Sequence, residues 1–393
     1  MRKARVAAPS PLNFSDENTL DLGLDFITPV FGGGVHIDGA TKPPDPLTPI
    51  RGSAVRGQLR FWWRAMNPRG LSSFHELREA EGEIFGSTQR ASAVRITVEQ
   101  PQRGSSKPVL EGAFGAVDKK FGLAYGAFPL RGGKNETHGT LTEYRGQARL
   151  KIGFPSNLRK DVEAALSGWG RFGGLGGRTR RGFGAIKLSG HASFLQKPPD
   201  PTGVVVDWPH LSAGEAGIVR GARTFTSGED ALNAVLDTFK KFRQLRGDGN
   251  GQRPGRSKWP EPDAIRKLTG DAESGHATPI TSVDSFPRAH FGMPIIFHFK
   301  DSGDPRDTTL NPAEGEGERL ASPLILRPFP ADGGFVAGAV RLFGTTPNGA
   351  VLEAGRTEHP VRVDLTAGEA SSLIPLAGEP DPISAFMQRV KDI

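Results

Sequence analysis

The stretch Arg51-Gly52-Ser53-Ala54-Val55-Arg56-Gly57-Gln58-Leu59-Arg60-Phe61-Trp62-Trp63-Arg64-Ala65-Met66 has the apolar spacing of an amphipathic helix. At about 100° per residue, four apolar side chains fall on one face and are predicted to enter a core: Val55, Leu59, Trp62 and Met66. Ser53 can cap the start of this helix, and Pro68 stops it. The stretch therefore predicts a helix that packs one face against the rest of the protein.

A stripe of arginines adjoins that apolar face. Arg56, Arg60 and Arg64 follow one another at helical spacing, and Trp63 lies on the border between the two faces. An arginine row beside an aromatic ring can contact successive phosphates while a base stacks on the ring. A solvated basic face above two core tryptophans is the alternative interpretation, because basic helix faces are common.

A second glycine-rich and basic stretch lies further along the chain. Residues 173–184 read Gly173-Gly174-Leu175-Gly176-Gly177-Arg178-Thr179-Arg180-Arg181-Gly182-Phe183-Gly184. Glycines let backbone N–H groups approach an anion, and arginines donate to phosphate oxygens. Since a glycine-flanked arginine cluster is polar, we expect these side chains to be exposed and replaceable without loss of the fold. A flexible glycine turn without a ligand is the alternative. No Gly-Lys-Ser/Thr follows, which excludes a Walker loop.

The distribution of charge supports a polyanionic partner. The chain of 393 residues has a net charge of +7, and residues 46–75 and 164–199 contain no Asp or Glu. Residues 238–260 hold seven Lys or Arg against Asp248 alone. Such segregation favours nucleic acid, whereas no apolar run is long enough to cross a membrane. The chain has no Cys, which excludes disulfides and thiolate metal sites, and we expect a cytoplasmic protein without a cofactor.

Outward from these two stretches, the pattern predicts an α+β protein in two halves. Strands are predicted at 20–26, 93–98, 147–154, 183–188, 293–299, 322–327, 335–342 and 361–365, and helices at 53–66, 73–83, 157–166, 230–246 and 262–268. Residues 101–140 are predicted to form a surface excursion or a hairpin insertion. The Pro-Pro-Asp-Pro run at 198–201 is the predicted boundary between domains of residues 1–200 and 201–393.

Several of these motifs together resemble the RAMP superfamily of CRISPR proteins. The run 49–65 resembles the first helix of that superfamily, and residues 173–184 look like its glycine-rich loop. Ile84-Phe85-Gly86-Ser87 with the following strand also fits. Residues 257–266, 291–294 and 319–324 are similar to one branch, the capping subunit of type III-B (Cmr) effector complexes. The similarity is spread over most of the chain, apart from 101–140.

The resemblance implies two ferredoxin-like (RRM-like) domains with a glycine-rich loop and extended insertions. It also implies a subunit of an antiviral ribonucleoprotein that contacts the 3′ part of the guide RNA, the paired target RNA and other RAMP subunits. The residues carried over as RNA-binding are Arg51, Ser53, Arg56, Arg60 and Trp63 from the helix, and Gly174, Gly176, Gly177, Arg178, Arg180 and Arg181 from the loop.

A metal-dependent endoribonuclease is the rival function. In related backbone subunits, cleavage depends on an Asp between the first strand and the first helix, and here that loop holds Asp38 and Asp45 beside His36. Aspartates next to Gly and Pro are usually turn formers. No His pair has metal-ligand spacing near a carboxylate cluster, so we predict neither a catalytic nor a metal site. A DNA-binding protein lacks support, since no groove-reading helix is recognisable.

Overall fold

The computed structural model describes residues 19–31, 50–108, 121–128, 140–195, 201, 208–214, 216–249 and 255–393. Its β-strands are β1 (Thr19–Phe26), β2 (Val30–Phe31), β3 (Arg95–Glu99), β4 (Gln102–Pro108), β5 (Thr140–Arg145), β6 (Ala148–Gly153), β7 (Ile186–Ser189), β8 (Ile218–Phe225), β9 (Ile295–Phe297), β10 (Thr308–Pro312), β11 (Leu324–Ala331), β12 (Gly334–Arg341), β13 (Ala350–Ala354) and β14 (Thr357–Val361). Its α-helices are α1 (Gly52–Met66), α2 (Phe74–Phe85), α3 (Phe121–Gly126), α4 (Arg159–Phe172), α5 (Gly228–Arg243), α6 (Glu261–Thr269), α7 (Ala367–Ser372) and α8 (Pro382–Lys391).

The first sheet is antiparallel with the order β3-β6-β1-β7. Along the chain its elements run β1-α1-β3-β6-α4-β7, which is the ferredoxin-like β-α-β-β-α-β arrangement. Alternate strand residues such as Leu22, Leu24 and Ile152 enter one core with Trp62 and Trp169. The predicted ferredoxin-like fold is therefore present in the N-terminal half.

The second sheet repeats most of that plan. Its order is β11-β12-β8, and along the chain β8-α5-β11-β12-α8 follow one another. These positions correspond to the first three strands and two helices of the first unit. Ser227 caps α5 through the Asp230 N–H, and Leu232, Val235 and Phe239 bury its apolar face. The C-terminal half is thus α+β, and its sheet has three of the four strands of a ferredoxin-like unit.

Two smaller sheets are insertions. β2, β5 and β4 form one, and β14, β13, β10 and β9 form the other around a separate apolar core that includes Ile265, Phe286 and Leu352. α3 packs on α5, where the Asn233 side chain accepts the backbone N–H groups of Gly122 and Leu123. The described part of 101–140 is therefore a paired insertion that contacts the other half of the chain.

The two halves pack closely against each other. Ile325 and Phe329 of β11 enter the first core, and Phe183 of the glycine-rich stretch enters the second. Alternate residues of β11 therefore face different cores. The boundary at 198–201 falls almost entirely outside the described residues, so the division into 1–200 and 201–393 stays a prediction.

Most predicted elements are present within a few residues, and the exceptions have local causes. The helix predicted from Asp230 starts earlier, because Ser227 is its cap. The strand predicted at 361–365 is wrong. The strand found there, β14, ends at Val361, because its partner β13 begins at Ala350, which pairs with Val361. In the second half, β8, β10, β13, α7 and α8 were not predicted. Among the described helices, none combines the length and apolar character that a membrane span requires.

A buried ion-pair network organises the loops beside α6. The Asp304 carboxylate is 3% exposed and accepts two hydrogen bonds from Arg266, at 2.8 and 2.7 Å. His276 lies 2.8 Å from the same carboxylate, and with Asp301 these residues could group around a cation. The sequence analysis missed this grouping, because its members come from separate loops. Since Arg266 already engages both oxygens of Asp304, the contacts fit an ion-pair network.

Replacing Asp304 with Asn is expected to lower the free energy of unfolding by about 2 kcal/mol at neutral pH. Burial by itself would raise the pKa of Asp304, but hydrogen bonds from Arg266 and the Glu273 N–H, with the charge of Arg266, lower it to about 2. A pKa below the unfolded value stabilises the fold above that value, and the contribution is lost as the pH falls from about 4 towards 2. Urea unfolding at pH 7 and pH 3 measures it. A stability difference that is the same at both pH values would contradict this assignment, and Asp307→Asn, 60% exposed, is the control.

Candidate nucleic-acid interface

The first turn of α1 is exposed and lacks acidic residues. Arg51 is the N-cap residue without a side-chain capping hydrogen bond, and Arg51, Ser53 and Ala54 are exposed. The predicted cap by Ser53 is wrong, because the helix begins one residue before it. Gly52 sits close to β3, where an added Cβ would lie 3.2 Å from the Ile96 carbonyl oxygen. Uncapped N–H groups and the helix dipole make this turn suited to an anion.

Arg56 continues this surface one turn along the helix. It is half-buried, and its Nε makes no hydrogen bond within the described chain. Among the described residues, no carboxylate forms an ion pair with Arg56. Arg51 and Arg56 therefore supply two positive charges, on an acid-free helix start, that are available to a ligand.

The rest of the predicted arginine stripe is engaged within the protein. Arg60 and Arg64 both form ion pairs with Glu81 of α2, whose side chain is 2% exposed. Arg60 also donates to the Gly86 carbonyl at 3.3 Å. A buried carboxylate needs such partners, since an unpaired one is costly. In the structure the Arg60 side chain joins α1 and α2, and its contact with RNA stays a prediction.

Trp63 does not border the solvent. It is fully buried, and its Nε1 donates to Asp161 of α4 at 2.8 Å. Arg69 binds the same carboxylate at 2.9 and 3.0 Å. The predicted stacking of a base on Trp63 is wrong, because α4 covers the ring that the helical wheel placed at the edge.

The glycine-rich loop is folded back on the protein. The Leu175 N–H donates to the Gly184 carbonyl at 2.9 Å, and the Gly177 N–H donates to the Phe31 carbonyl at 2.7 Å. At Gly176, where φ is +86°, an added Cβ would lie 2.4 Å from the Phe31 carbonyl oxygen. Gly174 is buried beside the Gly184 carbonyl in the same way. The glycines are needed for close packing, and the N–H groups of Leu175 and Gly177 are not free for an anion.

The three arginines of this loop join its residues to other elements. Arg178 donates two hydrogen bonds to the Gly126 carbonyl, at 3.0 and 2.9 Å. Arg180 donates to the Ser322 carbonyl, and Arg181 donates to the Leu324 carbonyl at 3.3 Å. Burial lowers the pKa of Arg178 and Arg180, and burial with neighbouring arginines lowers that of Arg181 to about 9. The expectation of exposed, mobile arginines is wrong, because backbone carbonyls of the C-terminal half and of α3 accept them.

α1 and the loop nevertheless meet. The guanidinium of Arg180 lies 5.8 Å from the centre of the Phe61 ring. A cavity of about 190 Å³ separates the two elements, with Gln58 and Thr179 in its lining. The structure thus brings both predicted stretches to one place, with α1 supplying the cations that remain open.

Comparison with known proteins agrees with these motifs. Residues 24–187 match the family model of the RAMP superfamily. Over 147 residues the chain is 29% identical to the CRISPR system Cmr subunit Cmr1-1 of Pyrococcus furiosus. That match covers 35% of this chain and 40% of the relative, so the chain spans about two-fifths of the length of the curated relative it matches.

Two solved structures are similar to this chain. The crystal structure of Cmr1 from Pyrococcus furiosus in its apo form matches with a TM-score of 0.47 and 17% identity, over 84% of this chain and 89% of that one. A cryo-EM structure of the type III-B Cmr-beta bound to cognate target RNA matches with a TM-score of 0.43 and 12% identity, over 91% and 98%.

The protein has a further basic cavity, which the sequence analysis missed. It measures about 650 Å³ and lies between α4, β7, β8 and β11. Its cations are Arg171, Lys187, Arg220 and Arg327, and its described lining contains no Asp or Glu. Arg327 is 1% exposed in a strand of apolar residues. The one sequence signal for this cavity was Arg327 directly after Leu324-Ile325-Leu326, because a cation buried in an apolar strand needs hydrogen-bond partners.

Proposed function

We propose that this protein is an RNA-binding subunit of a type III-B (Cmr) CRISPR ribonucleoprotein. The motifs of the helix and the loop, the RAMP match and the partial similarity to a Cmr subunit support this assignment. Its partners are the guide RNA, the paired target RNA and other RAMP subunits. The expected compartment is the cytoplasm, where the complex acts in antiviral defence.

The observation that carries the proposal is the start of α1. Arg51 and Arg56 have no carboxylate partner in the described chain, the first turn holds no acid, and Ser53 is exposed between them. Such a turn suits the phosphate backbone, which gives affinity without sequence preference. Of the other predicted RNA contacts, the loop residues Gly174, Gly176, Gly177, Arg178, Arg180 and Arg181 are proposed to hold the loop behind this surface.

The purified chain is expected to bind single-stranded RNA with little sequence preference and with strong salt dependence. Each phosphate contact contributes roughly 0.7 to the slope of log affinity against log salt. Fluorescence anisotropy with a labelled 12-mer between 50 and 200 mM KCl measures that slope. Affinity that does not change over this range would contradict an electrostatic interface.

We propose further that the subunit is not itself catalytic. The rival catalytic residue, Asp38, lies outside the described residues, as do His36 and Asp45. A cleavage site needs a metal held by several carboxylates, or an acid and a base around the 2′-OH. Cleavage of labelled target RNA by a reconstituted complex carrying Asp38→Ala separates the two functions. Loss of one cut with intact binding would identify this subunit as a nuclease.

A further inference from the structure

An exposed aromatic ring stands at the far end of the arginine stripe. Phe74 is 46% exposed and stacks on Trp208, with ring centres 4.8 Å apart and planes 25° apart. The guanidinium of Arg64 lies 4.7 Å from the centre of the same indole. Phe74, Trp208 and Arg64 thus form one stack, called here the aromatic platform, and part of the Phe74 ring remains open to solvent.

The platform is held in place from below. Phe74 is the first residue of α2, and it lies inside the capping box formed by Ser73 and Glu76. Arg64 is fixed by the buried Glu81. Behind Trp208, the neighbouring His210 pairs with Phe343 through two backbone hydrogen bonds, at 3.0 and 2.8 Å. A surface fixed in this way loses little conformational freedom when a ligand binds.

The surroundings of the ring are polar. The residues exposed near Phe74 in sequence are all polar: Ser72, Ser73, His75, Glu76, Arg78 and Glu79. A protein-binding surface has a core of several apolar side chains, whereas a single aromatic ring among donors and acceptors suits one planar, polar-edged group. An unpaired nucleobase has that form, and stacking on an aromatic ring does not depend on which base it is.

The platform also continues the proposed RNA surface. Arg56 and Arg64 are eight positions apart on α1, which corresponds to roughly 12 Å along the helix axis. A single strand whose phosphates lie at Arg51 and Arg56 therefore needs only a few nucleotides to reach Phe74. We propose that the open face of Phe74 receives one unpaired base of the bound RNA. This inference rests on the proposed function, and it specifies single-stranded RNA as the ligand at this end of α1.

Phe74→Ala is expected to weaken binding of a labelled 12-mer of single-stranded RNA by about tenfold, since stacking contributes roughly 1–3 kcal/mol per base and 1.4 kcal/mol is tenfold. The salt slope is expected to stay the same, because no phosphate contact is removed. Phe74→Tyr keeps a ring and is expected to bind like the parent. Ile374→Ala, at a side chain 61% exposed, is the control. Thermal melting of each variant checks the fold.

The outcomes separate this inference from the proposed function. Parent-like affinity of Phe74→Ala, while variants of Arg51 and Arg56 lose binding, overturns the platform and leaves the RNA-binding function standing. Equal loss on duplex and single-stranded RNA overturns the stacking of an unpaired base. Unchanged RNA affinity with loss of subunit assembly reassigns Phe74 to a protein contact. If the parent chain binds no RNA, the proposed function itself fails.

Discussion

Replacing Arg51 and Arg56 together with Glu is expected to lower the affinity for single-stranded RNA by roughly a hundredfold at low salt, or about 2.7 kcal/mol. The two cations stand at the start of α1 without a carboxylate partner in the described chain, so a ligand phosphate is free to take that place. Charge reversal replaces two attractions with two repulsions. The salt slope should fall by roughly 1.4 if both residues contact phosphates.

The fold should tolerate this change. Arg51 is exposed at the N-terminus of a helix, where an acidic side chain interacts favourably with the helix dipole. Lys300→Glu with Arg356→Glu is the matched control, because it changes the net charge equally at two exposed positions in loops that follow strands of the inserted sheet. An equal loss of affinity in the control variant would show that net charge alone causes the effect, and it would contradict the placement of α1 in the RNA interface.

The predicted helix and the predicted site differ in how well sequence specifies them. The spacing of Val55, Leu59, Trp62 and Met66 places α1 and its buried face, since helix periodicity is a local property. Whether an arginine on the other face is open depends on residues far along the chain. Glu81 forms ion pairs with Arg60 and Arg64, and no sequence pattern around α1 predicts these pairs.

The same limit explains Trp63 and the glycine-rich loop. A helical wheel places Trp63 at an edge, but α4 supplies Asp161 and covers it. Arg180 and Arg181 of the loop donate to the carbonyls of Ser322 and Leu324, at the start of β11 in the other half. Charge purity of a segment shows where cations are concentrated. It does not distinguish cations that bind a ligand from cations that bind backbone carbonyls.

Glycine carries a comparable ambiguity. A Gly-rich, Arg-rich loop suggests an anion cradle, because free N–H groups and guanidinium groups are what phosphate needs. The same composition serves close contact between two chain segments, as at Gly176 and the Phe31 carbonyl. Conversely, Phe74 and Trp208 have no sequence pattern in common, and only the fold stacks them.

Replacing Arg327 with Met is expected to lower the free energy of unfolding by about 3 kcal/mol. Arg327 is 1% exposed and donates to the carbonyls of Gly173 and Ile186 at 3.1 and 3.0 Å, and to Pro328 at 3.1 Å. Gly173 follows the last residue of α4, and Ile186 begins β7, so one side chain of the C-terminal half holds two elements of the N-terminal half.

Two opposing effects decide whether Arg327→Met stabilises or destabilises the fold. Burial lowers the pKa of Arg327 to about 9, which reflects the cost of a cation without a carboxylate, and an apolar residue of similar length removes that cost. Met leaves three carbonyl oxygens without this donor, however, and each unsatisfied buried group costs roughly 1–3 kcal/mol. The second effect is the larger, because all three hydrogen bonds are lost while the chain around them stays buried.

Urea unfolding of Arg327→Met beside Lys187→Met tests this balance. Lys187 lines the same cavity but is exposed, so its replacement should change stability by less than about 1 kcal/mol. RNA binding by the folded fraction of Arg327→Met should weaken less than that of the Arg51 and Arg56 variant, since α1 is not touched. A variant as stable as the parent would mean that the carbonyls find other donors, and that Arg327 is not needed to hold the two halves together.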